Sequence, residues 1–142
     1  MENVHLQRSL TLPNDVSTIP QLNEFIDSIC EELGIDMSTV MSLNLALEEA
    51  VVNVMNYAYP EGTTGEVSIE ALADDTSLRF VIIDSGKPFD PTAKAEVDTS
   101  LPANERPIGG LGIHLIRHIM DDIKYKYHDG KNILTLCKQL TK

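Results

Sequence analysis

Residues 80–91 have the sequence FVIIDSGKPFDP, in which four apolar residues lead into an aspartate, a serine and a glycine. A short run of β-branched and aromatic residues is typical of a strand, and a continuous run indicates a strand covered on both faces. Asp84 ends this strand at a depth where an unpaired carboxylate is costly. The stretch therefore predicts a central strand that delivers a carboxylate in need of a partner.

The partner of Asp84 can be a ligand or the chain itself. An exocyclic amine of a flat base would satisfy the carboxylate, and Gly86 lacks the side chain that otherwise blocks the approach of such a base. The alternative is a turn-forming Asp-Ser-Gly with no ligand, which is common where strands end. This motif alone leaves both interpretations open.

The rest of the chain is predicted to form helices and strands around this central strand. Before the central strand, the apolar spacing predicts an opening strand over 4–12, a helix from about Ser17 to Leu33 ending at Gly34, a second helix capped by Asp36 or Ser38 and ending before Tyr59, and a strand over 66–72. The central strand itself is predicted over 78–84. After it, the pattern predicts an irregular segment over 87–109, a third helix over 113–120 and a hairpin over 123–137 with its turn at Asp129 and Gly130. This order is α+β and packs best as one mixed or antiparallel sheet with helices on one face.

Glu49 and Asn53 lie four residues apart on the second predicted helix, so both project from the same side. A carboxylate there can accept a proton from an attacking hydroxyl or water, and an amide oxygen is a ligand suited to Mg²⁺. Asn56 continues this polar side. Because Glu48 adjoins Glu49, the alternative is that both glutamates are solvated helix charges, although the spacing to Asn53 favours Glu49 as the base.

A glycine-rich stretch, Gly109-Gly110-Leu111-Gly112, comes directly before the third predicted helix. Backbone amides of such a stretch, together with a helix N-terminus, can face an anion such as a phosphate. The stretch has neither the P-loop signature nor the strand-to-helix context of a dinucleotide-binding fold. Taken alone, it could equally be a hinge.

Composition favours a single cytoplasmic domain spanning residues 1–142. The formal net charge is -11, and the Lys and Arg clusters that phosphate backbones need are missing, which argues against direct binding of nucleic acid. No apolar run approaches the ~18 residues that span a bilayer, so no membrane association is expected. The N-terminus lacks the features of a secretion signal, and Cys30 and Cys137 have no metal-binding or redox spacing.

Taken together, three segments resemble the N, G1 and G2 boxes of the histidine-kinase-like ATPases, the GHKL superfamily. The segments are Glu49 to Asn53, Asp84 to Pro91 and Gly109 to Ile116. The stand-alone length and the Phe-Asp-Pro extension at 89–91 are most similar to the anti-sigma-factor serine/threonine kinases of that superfamily. The resemblance covers nearly the whole chain and implies a Bergerat-type sandwich that binds ATP and Mg²⁺.

The resemblance also implies a role for each site residue. Asp84 would read the adenine amine, Asn53 would ligate Mg²⁺, and Glu49 would be the general base. A lid between Asp90 and Gly112 would close over the phosphates. Further nucleotide contacts are implied for Asn56, Gly86, Phe89, Arg106, Gly109, Gly110, Leu111 and Gly112.

The function implied by the resemblance is an ATP-Mg-dependent protein serine/threonine kinase in bacterial partner switching. Its substrate would be a serine or threonine of an anti-anti-sigma protein of the STAS type, which competes with a sigma factor for the kinase. The resemblance also allows the kinase to form a homodimer. Two alternatives are a nucleotide-gated binding module without phosphotransfer and an ATP hydrolase in which Glu49 activates water.

Two features depart from the pattern of these kinases. Many of them carry a basic residue four positions after the metal-binding Asn, where this chain has Tyr57, so a phosphate contact could come instead from Lys87, Arg106 or His114. The first predicted helix contains acids but neither Lys nor Arg. If that helix docks partners, their surfaces should differ from those of the sigma regulators.

Overall fold

The computed structural model describes residues 4–60, 62–93 and 110–140. The strands are β1 Leu6–Pro13, β2 Glu66–Ala73, β3 Ser77–Asp84, β4 Asp122–His128 and β5 Lys131–Gln139, and the helices are α1 Ile19–Leu33, α2 Met37–Asn53 and α3 Gly110–Ile119. Short 3-10 turns lie at Val16–Thr18 and Pro91–Ala93, and a π-helical turn at Val54–Ala58. The predicted order of strands and helices is confirmed.

The strands form one five-stranded sheet in the order β1-β2-β3-β5-β4, and every neighbouring pair is antiparallel. Of the two arrangements predicted from the sequence, the antiparallel one is therefore present. The strand that ends in Asp84 is the central one, with two strands on each side. Its position brings Asp84 directly opposite Asn132 of β5.

The helices pack against one face of the sheet, and the core lies between the two layers. Alternate strand residues such as Leu12, Ile69 and Phe80 are buried there, as period-two alternation requires. Helix α1 contributes Leu22 and Ile26. The α+β architecture with helices on one face of the sheet is thus confirmed.

The opposite face of β3 is less covered than its sequence suggests. Val81 and Ile83 alternate with the buried residues and are only partly buried. The prediction that both faces of this strand are covered is therefore wrong. Neighbouring strands give these two side chains partial shelter, because Ile83 lies opposite Ile133 and Val81 opposite Thr135.

Local caps set the limits of the helices. Gly34 ends α1 with a left-handed φ of 69°, a conformation that glycine adopts without a steric penalty. The side chain of Asp36 accepts a hydrogen bond from the backbone N–H of Thr39 at 3.2 Å, which makes Asp36 the N-cap of α2. Hydrogen bonds from Ser38 and Thr39 lower the pKa of Asp36 to about 2.

Helix α2 ends in the π-helical turn that follows Asn53. A π turn inserts one residue into the helical ladder and often occurs at functional sites. The continuous helix predicted up to Tyr59 therefore changes its winding over its last turn. In none of the three described ranges is a helix long and apolar enough to cross a membrane.

Candidate functional site

Asp84 is only 2% exposed, and its two carboxylate oxygens have different surroundings. Oδ1 accepts hydrogen bonds from the backbone N–H of Gly86 at 2.8 Å and from Nδ2 of Asn132 at 2.9 Å. Oδ2 is buried, and no donor among the described residues reaches it. Burial raises the pKa of Asp84, and the two hydrogen bonds oppose that shift. The protein therefore fixes one oxygen of the carboxylate, and the described residues leave the other without a hydrogen bond.

Asn132 holds the loop that follows Asp84. It is 3% exposed, and besides Asp84 its Nδ2 donates to the carbonyl oxygen of Lys87 at 2.8 Å. Its Oδ1 accepts from the backbone N–H of Phe89 at 2.9 Å and from the hydroxyl of Tyr125. One amide therefore connects the end of β3, the following loop and the edge strand β4.

Sequence reasoning missed Asn132. The available signal was its position in β5, where alternation with Leu134 and Leu136 assigns it to the buried face. A buried amide requires hydrogen-bond partners, and this requirement identifies Asn132 as a residue to examine.

Tyr59 fixes the other side of the same loop, and its role was also missed. Its hydroxyl donates to the carbonyl oxygen of Glu66 at 2.7 Å and accepts from the backbone N–H of Ser85 at 2.9 Å. The ring is 6% exposed and lies against Gly65, where an added Cβ would come within 2.4 Å of it. The backbone after Asp84 is therefore held by a tyrosine on one side and an asparagine on the other.

Gly86 is also required for a reason that the sequence did not reveal. A Cβ at this position would lie 2.3 Å from the carbonyl oxygen of Ala58, which belongs to the π turn after α2. The same carbonyl accepts a hydrogen bond from the backbone N–H of Lys87 at 2.8 Å. Close backbone packing, and not only room for a flat base, therefore demands glycine here, and it joins the Asp84 loop to the end of α2.

The end of α2 and the π turn after it carry the remaining polar candidates. Asn53 is the last residue of α2 and is 6% exposed, while Glu49, one turn earlier, is partly buried. Asn56 is exposed. The ring of Tyr57 packs against that of Phe89, with centroids 5.8 Å apart and an interplanar angle of 33°. An aromatic contact thus occupies the position where a basic residue would stand in many of the similar kinases.

The glycine-rich stretch lies only partly within the described residues. Arg106 and Gly109 fall outside them, as does most of the predicted lid. Helix α3 begins at Gly110, so Leu111 and Gly112 lie in its first turn, and α3 packs against α2. A helix N-terminus presents backbone N–H groups and a positive partial charge, which suit phosphate oxygens.

Two of the residues that could replace the phosphate contact missing at Tyr57 lie on the surface. Lys87 and His114 are both exposed. Within the described ranges, no three His, Cys, Asp or Glu residues are grouped so that they could hold a metal ion. The Mg²⁺ ligand predicted from the sequence is the amide oxygen of Asn53, and Mg²⁺ usually binds through one or two protein ligands together with phosphates and water.

Comparison with known proteins identifies the class of protein that this fold and site define. Residues 12–138 match the family model of the histidine kinase-like ATPase domain. The chain belongs to this family, which confirms the resemblance inferred from the three boxes. ATP is accordingly the nucleotide of the family.

Within this family the chain is similar to serine-protein kinases named RsbW. It is 31% identical to the protein of Halalkalibacterium halodurans over 134 residues, which cover 87% of this chain and 81% of the relative. It is 29% identical to the protein of Listeria monocytogenes serovar 1/2a over 138 residues, or 94% of this chain and 88% of the relative. The chain is thus a member of a family of serine-protein kinases.

Solved structures share the fold. The RsbU and RsbW domains of Rv1364c from Mycobacterium tuberculosis match with a TM-score of 0.69 and 16% identity, over 96% of this chain and 33% of that one. The histidine kinase domain of the blue-light activated histidine kinase EL346 from Erythrobacter litoralis matches with a TM-score of 0.54 and 14% identity, over 91% of this chain and 62% of that one. At these identities the likeness extends to the fold alone.

Proposed function

We propose that this chain is an ATP-Mg-dependent protein serine/threonine kinase of the anti-sigma type, acting as one domain in the bacterial cytoplasm. Its substrate is an anti-anti-sigma protein of the STAS type, which competes with a sigma factor for the kinase. The observation that carries the proposal is the buried Asp84 carboxylate, with one oxygen fixed and one without a partner among the described residues, in a chain related to serine-protein kinases.

Asp84 selects the nucleotide through its base. The exocyclic amine of adenine donates to Oδ2, while Gly86 and Asn132 keep Oδ1 occupied and fix the plane of the carboxylate. A hydrogen bond to a buried charged acceptor is stronger than one between neutral groups. The adenine ring is therefore both bound and oriented at the end of β3.

The end of α2 and the start of α3 bind the phosphates and their metal ion. Asn53 would hold Mg²⁺ through its amide oxygen, and the bound ion would neutralise part of the phosphate charge. The backbone amides at the N-terminus of α3 bind phosphate oxygens without requiring a cationic side chain. This arrangement is compatible with the net charge of -11, because backbone groups replace side-chain charges.

Glu49 acts as the general base of the transfer. The hydroxyl oxygen of the acceptor attacks the γ-phosphorus, and its proton passes to the Glu49 carboxylate. The bond between the γ-phosphorus and the β-γ bridging oxygen breaks, and ADP leaves with that electron pair. A positioned base of this kind contributes roughly 10²–10⁴-fold, and positioning and charge stabilisation supply most of the remainder.

The direct test is phosphotransfer from radiolabelled ATP with Mg²⁺. The purified chain is incubated with each STAS-type protein encoded in the same genome, and labelled residues are identified by mass spectrometry. The proposal expects label on a serine or threonine of one acceptor. Release of inorganic phosphate without any labelled acceptor would instead indicate a hydrolase.

A second candidate is a nucleotide-gated binding module that holds a regulator without phosphorylating it. The observation in its favour is the packing of Tyr57 on Phe89, which puts an aromatic ring where many of the similar kinases have a basic residue. The two candidates differ in one measurement. A complex that forms only with ATP and contains no phosphoserine or phosphothreonine after prolonged incubation supports the binding module.

A further inference from the structure

Helix α2 carries a ridge of large apolar side chains on its solvent side. Met37 is 73% exposed, Met41 67% and Leu45 48%. These residues recur every four positions, so their side chains stack along one face of the helix and form a continuous strip. We refer to Met37, Met41 and Leu45 as the α2 ridge. Isolated exposed apolar residues are common, but a continuous strip of them is typical of an interaction surface.

The ridge borders an open groove between α1 and α2. This groove has a volume of about 720 Å³ and is lined by Asp27, Val40, Asn44 and the residues of the ridge, among others. Hydrogen bonds join two of its lining residues and hold one of them to α1: Asn44 Nδ2 donates to Asp27 Oδ1 at 2.9 Å, and Asn44 Oδ1 accepts from Asn23 Nδ2 at 2.9 Å. The two helices therefore present a preorganised surface, which lowers the entropic cost of binding.

The charge around the ridge has one sign. Helices α1 and α2 contain Lys or Arg at no position, and their acidic residues are Glu24, Asp27, Glu31, Glu32, Glu48 and Glu49. Among the ion pairs of the described residues, Glu32 is the only one of these acids with a partner, Arg8 at 2.9 Å. A complementary partner would carry apolar side chains with Lys or Arg around them.

The position of the ridge indicates which partner covers it. Glu49 lies one helical turn beyond Leu45, and the acceptor hydroxyl must come within hydrogen-bond distance of the base during transfer. The acceptor protein therefore lies over this end of α2. Glu49 lies twelve positions after Met37, or about 18 Å further along the helix. This length is within the footprint of one ordinary protein interface, whose area is ~800 Å² on each partner.

From these observations we infer that the α2 ridge and its groove dock the phosphoacceptor protein. The acceptor binds through an apolar surface bordered by Lys and Arg, with its serine or threonine directed towards Glu49. Methionine suits such a contact because its unbranched side chain adapts to the surface it meets. The inference rests on the proposed kinase function and adds where the substrate binds and what its surface must be.

The test uses the full chain with Met37 and Met41 both replaced by Gln, in the phosphotransfer assay described above. Glutamine is close to methionine in size and equally compatible with a helix, so the fold and ATP affinity should be retained. The KM for the acceptor should rise about tenfold or more, as expected for a buried anchor at an interface, while kcat changes less than about twofold. Val4→Gln is the matched control, because Val4 is an exposed apolar residue before the start of β1, outside α2 and the lining of the groove.

Charge reversal of an acidic residue on α1 separately tests the acidic surroundings of the ridge. Glu31→Lys should raise the KM for the acceptor further at low salt than at high salt, because salt screens exposed charges. Normal folding is checked by circular dichroism and by ATP titration, neither of which requires the acceptor.

The outcomes separate the two proposals. An active kinase whose KM for the acceptor is unchanged in the Met37/Met41 double variant overturns the docking inference and leaves the kinase function intact. If the wild-type chain labels none of the STAS-type proteins, the proposed function fails, and the docking inference fails with it. An equal rise in KM for Val4→Gln would also overturn the docking inference, because the effect would not be specific to the ridge.

Discussion

The two halves of helix α2 have opposite relations to the rest of the protein. The first half, from Met37 to Leu45, exposes large apolar side chains to solvent. The second half runs from Glu49 to Asn53 into a π turn and buries the polar side chain of Asn53. Stability alone favours neither arrangement, because exposed methionines gain no burial and a buried amide needs partners. We therefore propose that one helix serves two ligands, a protein at its start and a nucleotide at its end.

The largest effect on phosphotransfer is expected at the general base, Glu49. Glu49→Gln should lower phosphotransfer by ~10²–10⁴-fold, because an amide cannot accept the hydroxyl proton, while ATP affinity stays close to that of the wild type. The measurement is single-turnover transfer from radiolabelled ATP. Glu48→Gln is the matched control and should keep kcat within about twofold. If the two variants lose activity equally, Glu49 is not the base.

Asp84→Asn should separate nucleotide binding from stability. ATP affinity should fall about 100-fold, because the amide oxygen can take the two internal hydrogen bonds and then leaves its NH₂ group facing the amine of adenine. The free energy of unfolding should not fall, since the variant removes a buried charge whose ionisation is penalised. Calorimetric titration and thermal unfolding check both parts. Unchanged ATP affinity would remove Asp84 from the site.

Asp84 also contributes to the dependence of stability on pH. Its pKa is higher in the folded protein than in the unfolded chain, so the folded state holds this proton more strongly. The resulting stability is fully present below the unfolded pKa and is lost as the pH rises through the folded pKa. Between these two pKa values the wild type should therefore lose stability relative to Asp84→Asn with rising pH, as denaturant titrations at several pH values would measure. A stability difference that does not change over this interval would contradict the assignment.

Asn132→Ala tests whether the Asp84 loop is held by one buried amide. The variant leaves the Phe89 N–H and the Lys87 carbonyl without their partner, so the free energy of unfolding should fall by ~1–3 kcal/mol and ATP affinity by about tenfold. Amide hydrogen exchange at Phe89 should accelerate. Preserved protection of that amide would show that other contacts hold the loop.

The smallest effect is expected where Tyr57 meets Phe89. Replacing each ring with leucine, singly and together, should give a coupling free energy of ~0.5–1.5 kcal/mol in denaturant unfolding, as for other aromatic pairs. Additive effects of the two substitutions would indicate that the rings do not stabilise each other. A change in the transfer rate of the single Tyr57 variant would also show whether this contact matters for phosphate binding.

Sequence patterns predicted the elements of the fold well, because periodicity, caps and turn residues are local signals. Gly34 and Asp36 set the ends of helices as expected, and Asp129 and Gly130, with φ of 52° and 75°, form the closing turn. The family boxes likewise directed attention to Asp84, Glu49 and Asn53. Each of these signals lies within a few residues of the feature it predicts.

The contacts that the sequence did not reveal join residues far apart in the chain. Asn132 is 48 positions from Asp84, and only the β3-β5 register brings them together. The backbone contact between Gly86 and Ala58 depends in the same way on where the π turn ends. A local pattern shows that a buried amide or a glycine is needed, but the packing of distant elements determines its partner.

In the proposed site, the Asp84 oxygen that has no partner among the described residues reads the exocyclic amine of adenine. Comparing the binding of ATP and inosine triphosphate to the wild-type chain with Mg²⁺ tests this contact. The two nucleotides differ at the base, where inosine has a carbonyl oxygen in place of the amine. The structure predicts that ATP binds about 100-fold more tightly, because the carboxylate would otherwise face another acceptor. Equal affinity for the two nucleotides would contradict the account.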